Sequence, residues 1–300
     1  MDERLCRVGE VELCYEPFGD PDDPPLLLVM GLGTQMIGWH EDFCRLLAGR
    51  GFHVIRYDNR DIGRSTHVAA PPPTRRQLVT RDRRAAAYTL EDMAGDAAGL
   101  IRALGHDAAH VVGVSMGGMI AQTLAARHPE RVLSLASIMS STGARWTGQP
   151  ALRVLPFLVR RRPATRTEAV ERTLALFRIV GSPDFDRDEA RLRAMSELAF
   201  ERGPDDAAGT GRQLAAIFAS GDRRSSLARI TAPTVVIHGT KDRMVAPSGG
   251  RATAAAIPGA RLELIAGMGH DLPRAVWPRV VDLIVDNARR GQPGAAAAAA

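Results

Sequence analysis

The amino-acid sequence predicts an α/β protein: a mostly parallel, doubly wound central sheet flanked by helices, with a helical cap inserted between two of its strands. Three observations carry this expectation. Short apolar runs alternate with helix-length amphipathic segments, a pattern that needs crossover connections and therefore a mostly parallel sheet. Leu26–Met30 is a run of five apolar residues, as in a strand buried on both faces. From about Gly143 to Arg229 the chain is helical in pattern, arginine-rich and punctuated by Pro150, Pro156, Pro163, Pro183 and Pro204, with no convincing strand.

Taken in order, Leu5–Val8 and Val11–Tyr15 flank a Gly9-Glu10 turn and read as a hairpin. Strand Leu26–Met30 is followed by helix-like Met36–Gly49 and strand His53–Tyr57. Residues 69–86, with Pro71-Pro72-Pro73 and five arginines, read as a stiff, then basic loop. Leu90–Leu104 is a helix, with Thr89 and Asp92 placed as a capping-box variant and Gly105 as its stop. Strand His110–Val114, helix Met116–His128 ending before Pro129, and strand Val132–Met139 complete the first half. Beyond the insert come strand Thr234–His238, helix Ser248–Ala256, strand Arg261–Ile265 and helix Pro273–Arg290. The expected organisation is a core of residues 1–142 and 230–290, a cap over 143–229, and a low-complexity tail over 291–300.

Composition excludes several classes. A chain of 300 residues with 45% hydrophobic and 24% charged residues is globular rather than disordered. Three cysteines cannot form a disulfide scaffold, and Cys6, Cys14 and Cys44 lack metal-ligand spacing; buried reduced thiols are expected. The N-terminus lacks the layout of a secretory signal, and no apolar run is long enough to span a bilayer, so a cytoplasmic protein without a membrane partner is expected. A net charge of +5 does not argue for nucleic acid.

The chemistry is concentrated in Gly113-Val114-Ser115-Met116-Gly117, a G-x-S-x-G pentapeptide between a predicted strand and a predicted helix. Such a turn holds the serine above the carboxyl ends of the strands, where open α/β sheets bind ligands. The amides that follow, beginning with Met116, open a helix and point toward a developing oxyanion. A serine nucleophile needs a base, and the base needs an orienting acid. Asp242 follows strand Thr234–His238 and His270 follows strand Arg261–Ile265, so both fall at the sheet edge that carries Ser115. Asp222, in Gly221-Asp222-Arg223, is a rival acid, but follows a helix-like segment. Asp58 with Arg60 reads as a tie between loop and sheet, and His110, His128 and His238 as structural. Trp39 fits either an acyl pocket or plain core.

These motifs, with Val29-Met30-Gly31, Tyr57 to Ser65, His238 to Asp242 and Gly267-Met268-Gly269-His270, resemble the α/β-hydrolase superfamily from Leu26 to about Arg290. Gly31…Gly38-Trp39, His53 to Asp58 and Met268 to Pro273 are similar to the aclacinomycin methylesterase type of ester hydrolase. The resemblance implies Ser115 as nucleophile, His270 as base, Asp242 as acid, and the Leu32 amide as the second oxyanion donor beside Met116, with Gly31 and Trp39 in the substrate pocket. It also marks two departures: Met30-Gly31 replaces a commoner His-Gly, and Asp61 stands where glycine is usual.

A serine at this turn excludes the branches that form an alkyl ester on a carboxylate. What remains is acyl chemistry on a small-molecule ester, with no metal or organic cofactor. A carbon–carbon bond hydrolase, an acyltransferase or perhydrolase, and a non-catalytic ligand receptor are the alternatives on the same scaffold. The charge is uneven: residues 145–180 hold eight arginines against two glutamates, and loop 71–86 holds five against one aspartate. Solvated helix faces are the plain expectation; arginines at the pocket entrance would instead steer anionic substrates.

Overall fold

The architecture is that of a computed structural model, which describes residues 2–158, 163–203 and 206–291. Residues 292–300 of the tail expected over 291–300, and Arg160, Arg161 and Arg162 of the basic stretch, lie outside the described residues.

Eight strands form one sheet in the order β1-β2-β4-β3-β5-β6-β7-β8. Strands β1 (Arg4–Val8) and β2 (Val11–Phe18) make the antiparallel hairpin, whose register sets Cys6 opposite Leu13 and Cys14 opposite Leu5. All three cysteines are free. Strand β3 (Pro25–Val29) leads through a short 3-10 turn (Met36–Gly38) to α1 (Glu41–Ala48) and β4 (His53–Tyr57). The helix expected over 36–49 is therefore split. Trp39 ends the turn, and the His40 ring restarts the chain as an N-cap by accepting from the Asp42 amide.

The stretch expected to be a stiff basic loop contains a short helix, α2 (Arg75–Thr80), with a full capping box between Thr74 and Gln77. Next come α3 (Leu90–Ala103), β5 (Ala109–Val114), α4 (Met116–Arg127) and β6 (Val132–Ile138). Thr89 and Asp92 form the reciprocal cap that their spacing predicts. Between β6 and β7 the described residues are helical: α5 (Leu155–Leu158), α6 (Arg166–Val180), α7 (Glu189–Arg202), α8 (Asp206–Ser220) and α9 (Arg224–Leu227). The chain closes with β7 (Thr234–Gly239), α10 (Pro247–Ala256), β8 (Arg261–Ile265) and α11 (Trp277–Arg289).

From β4 onward the pairings are parallel. Two cores follow from strand alternation. Leu27, Val29 and Val111 point into a layer built with α3 and α4, whereas Leu26, Leu28, Val112 and Val114 point into one built with α1 and α11. Both faces being covered explains why β3 and β5 read as continuous apolar text. The right-handed crossovers bring the carboxyl ends of β3, β5, β7 and β8 to one edge, where the inserted helices lie.

Candidate active site

Ser115 occupies the turn from β5 to α4 with φ 55° and ψ −120°, a conformation an L-residue holds only when its surroundings impose it. Its amide donates to Ile138 O at 2.9 Å and its carbonyl accepts from Ser140 Oγ at 2.8 Å. The flanking glycines are needed for close approach. A Cβ on Gly113 would lie 2.2 Å from Gly117 O, and one on Gly117 would lie 2.1 Å from Val29 O. Without side chains there, α4 sits directly against β3 and β5 and the serine projects from the apex.

His270 and Asp242 meet Ser115 from the ends of β8 and β7. The Ser115 hydroxyl donates to His270 Nε2 at 3.0 Å, and His270 Nδ1 donates to Asp242 Oδ2 at 2.7 Å. Asp242 is buried, and its other oxygen accepts from the Met244 and Val245 amides at 2.8 Å each. The carboxylate is thus locked by its own loop and presents one oxygen to the imidazole. The backbone of the His270 loop is held by the segment after α6: His270 N donates to Val180 O at 2.7 Å and Gly269 N to Ser182 Oγ at 2.8 Å. Ser182 in turn donates to Asp271 Oδ1 at 2.5 Å. Burial pushes the Asp271 carboxyl above the ordinary carboxylate range, against the pull of the Ser182 bond.

The remaining predicted residues divide by place. Gly31, Leu32 and Trp39 line a cavity of about 420 Å³ that also contains Ser115 and His270. A Cβ on Gly31 would stand 3.2 Å from the Ser115 Cβ, so this glycine adjoins the serine. Trp39 is both pocket wall and core, stacked on Phe43 at 5.5 Å. The Met116 side chain is buried in the core, while its amide stands at the first position of α4. Most of the wall is apolar, including Ile37, Phe157, Phe177, Leu192, Met195 and Trp277.

Asp222 is excluded as the partner of His270. It is spent on Arg224, which it pairs at 2.7 Å on the surface. Asp58 and Arg60, expected to tie a loop to the sheet, make their ties to separate partners. Arg60 pairs with Asp96 at 2.6 Å, and Asp58 instead accepts from the Met36 amide at 2.7 Å and from Arg202 of α7 at 2.9 Å. His238 is packed beneath the site, with Nε2 2.9 Å from Val245 O, and burial depresses its pKa. Of the basic stretch, Arg166, Arg172 and Arg178 face carboxylates of α6 and α7. Sequence reasoning missed Ser182, Asp271 and Arg191 of the cavity region; spacing marks none of them, because each acts through contacts between distant segments.

A strand-turn serine bonded to a histidine, and that histidine to a buried aspartate, on a doubly wound sheet, defines the class to which this chain belongs: the α/β hydrolase fold family, matched over residues 24–273. Among its relatives it stands with carboxylic ester hydrolases. It is 35% identical to the rhodomycin D methylesterase DauP of Streptomyces sp. (strain C5), over 92% of this chain and 94% of that protein, and 33% identical to DnrP of Streptomyces peucetius over the same shares. Among solved structures, the enol-lactonase of Burkholderia xenovorans LB400 superposes with a TM-score of 0.75 at 28% identity, covering 95% of this chain and 99% of that one. Among the described residues, no helix is long and apolar enough to cross a membrane.

Proposed function

We propose that the protein hydrolyses a bulky, largely apolar small-molecule carboxylic ester through an acyl-enzyme intermediate, with Ser115, His270 and Asp242 as the catalytic triad. The observation that carries this reading is the unbroken hydrogen-bond chain from Ser115 Oγ to Asp242, opening into an apolar cavity. Ser115 Oγ attacks the ester carbonyl carbon as His270 Nε2 takes its proton, and the imidazolium gives that proton to the departing alcohol. Water, deprotonated by the same nitrogen, then attacks the acyl-serine and releases the acid. Asp242 fixes the imidazole with Nδ1 protonated and offsets its charge during both steps. The Leu32 and Met116 amides are the expected oxyanion donors; among the described residues neither donates to a protein acceptor.

Residues 143–229 act as a helical cap whose inner face, from α6 and α7, sets the shape of the substrate. Two relatives are methylesterases, and a cavity with an apolar wall suits a methyl ester whose bulk lies on the acyl side. The test is a panel of p-nitrophenyl esters of rising chain length beside bulky methyl esters, read with Ser115→Ala. Hydrolysis that disappears in the variant while its melting temperature holds supports the reading. Hydrolysis near the parent level removes Ser115 from the mechanism.

A further inference from the structure

Arg191 is, among the described residues, the one arginine in the wall of the cavity that holds Ser115 and His270. It stands in the first turn of α7, where its backbone N–H is taken by the Asp188 cap at 2.9 Å. The side chain turns inward, with Cζ 5.8 Å from the centre of the Trp277 ring. Its Nε is buried and has no hydrogen-bond partner. Asp188 and Asp271 lie close enough to favour its charge, yet among the described residues neither approaches within ion-pair distance. Asp271 has one oxygen engaged by Ser182.

Arg223, whose Nε and Nη1 also lack partners, donates through Nη2 to Gln122 and to Ser141 O outside this cavity. Two further inward arginines of the insert are built differently. Arg202 meets Glu3, Gln35 and Asp58, and Arg212 meets both oxygens of Asp61. Those two are structural, with their donors matched to acceptors in the protein. Arg191 has a partly desolvated charge and a donor left over, a costly arrangement unless something else supplies the acceptor. Phe177, Leu192 and Trp277 of the wall carry no acceptor oxygen on their side chains, and the oxygens of Thr173, Ser196 and Asp271 in the same wall leave Arg191 Nε unbonded.

Resting on the ester-hydrolase reading, we propose that Arg191 is a specificity residue: its guanidinium binds an acceptor oxygen, anionic or carbonyl, on the acyl portion of the substrate away from the scissile ester. The preferred substrate is then an ester with a second oxygen function, and Trp277 holds the guanidinium plane in place for it.

The experiment compares three p-nitrophenyl ester series matched in length: monoesters of dicarboxylic acids, esters of keto acids, and plain alkanoates. The parent favours one acceptor-bearing series over the alkanoates, and the favoured series identifies the acceptor as carboxylate or ketone. In Arg191→Met the ratio of kcat/KM between that series and the alkanoates falls at least fivefold, mainly through KM, and Arg191→Lys recovers part of it for the carboxylates. A smaller fall, or a parent with no preference for either acceptor series, overturns the proposal. Arg191→Gln, read by the same ratio, serves if the methionine variant does not fold. The ester-hydrolase reading fails separately, by absence of turnover on all three series in the parent.

Discussion

The Asp61 carboxylate receives both a 2.6 Å and a 2.8 Å hydrogen bond from the guanidinium of Arg212, joining the loop after β4 to helix α8. Asp61 adopts φ 73°, the left-handed conformation that explains the glycine usual at this place. Here aspartate holds the conformation and adds a charge, supported by Tyr88 Oη at 2.7 Å and the Val68 amide at 2.8 Å. α8 comes so near that a Cβ on Gly209 would lie 1.8 Å from Asp61 O. The helix is therefore fixed to the core here by a buried ion pair.

Asp61→Asn keeps a residue tolerant of positive φ and removes the charge. Breaking one side of a buried pair costs about 3–5 kcal/mol, so urea unfolding at neutral pH should show a loss of that order. Burial raises the Asp61 pKa, but the bonds from Arg212, Tyr88 and Val68 outweigh it and hold the carboxyl below 3.8. A depressed folded-state pKa gives stability that is complete above the unfolded value and is lost as pH falls through the folded one. The gap between parent and variant should close on acidification through that range. A gap independent of pH would mean that packing, not charge, holds α8.

Asp242→Asn should lower kcat about 10³–10⁴-fold while leaving the fold intact, because an amide cannot hold His270 in the tautomer that accepts from Ser115. Asp222→Asn should stay within about twofold, since that residue serves only a surface arginine. Steady-state kinetics on one chromogenic ester separates the two. Equal losses would leave the acid unassigned.

The succession of strands and helices and the edge that carries the site were legible because both depend on local pattern. β3 is apolar throughout and β5 is so apart from His110, Gly113 and Gly117 mark the tight turn, and Asp242 and His270 directly follow short strands. Asp58, Arg60 and Arg191 were not legible in the same way. Which carboxylate faces Arg60 is decided by a helix brought in from more than 30 residues away in the chain, and among the described residues no carboxylate pairs Arg191. The basic loop gives a further instance. Arg83 reaches the Ala219 carbonyl at 2.7 Å at the end of α8, so its charge is used on a helix C-terminus, a partner that the loop's own sequence does not name.

Two glycines on helices should respond in opposite directions to alanine. Gly117→Ala places a methyl against Val29 O and Met30 O, both backbone atoms that cannot turn aside. It should destabilise the fold by about 1–3 kcal/mol or more and displace Ser115, so both melting temperature and turnover fall. Gly95, within α3, has nothing within 4 Å of its added Cβ. Gly95→Ala should therefore add about 0.5–1 kcal/mol through helix propensity with turnover unchanged. A stable, active Gly117→Ala would contradict the close approach that shapes the serine turn.

His110 contributes a second pH dependence of stability. It is buried in β5, with Nδ1 2.9 Å from Ser134 Oγ and its ring edge-on to Phe52. Burial pushes its pKa from 6.5 down to about 4. Between those two values the unfolded chain takes up a proton that the folded protein refuses, so unfolding becomes easier as pH falls through this window. The cost, fully developed below the folded value, is about 3 kcal/mol for a shift of this size. His110→Gln removes the titrating group while keeping a polar atom for Ser134. Its urea midpoint should decline less steeply than the parent's from pH 6.5 to pH 4, even if the variant starts lower at pH 7 from altered packing. Parallel profiles would show that a group other than His110 governs the acid limb; the buried carboxyls of Asp96 and Asp271 do not qualify, because burial raises their folded-state pKa values and their protonation adds stability as pH falls.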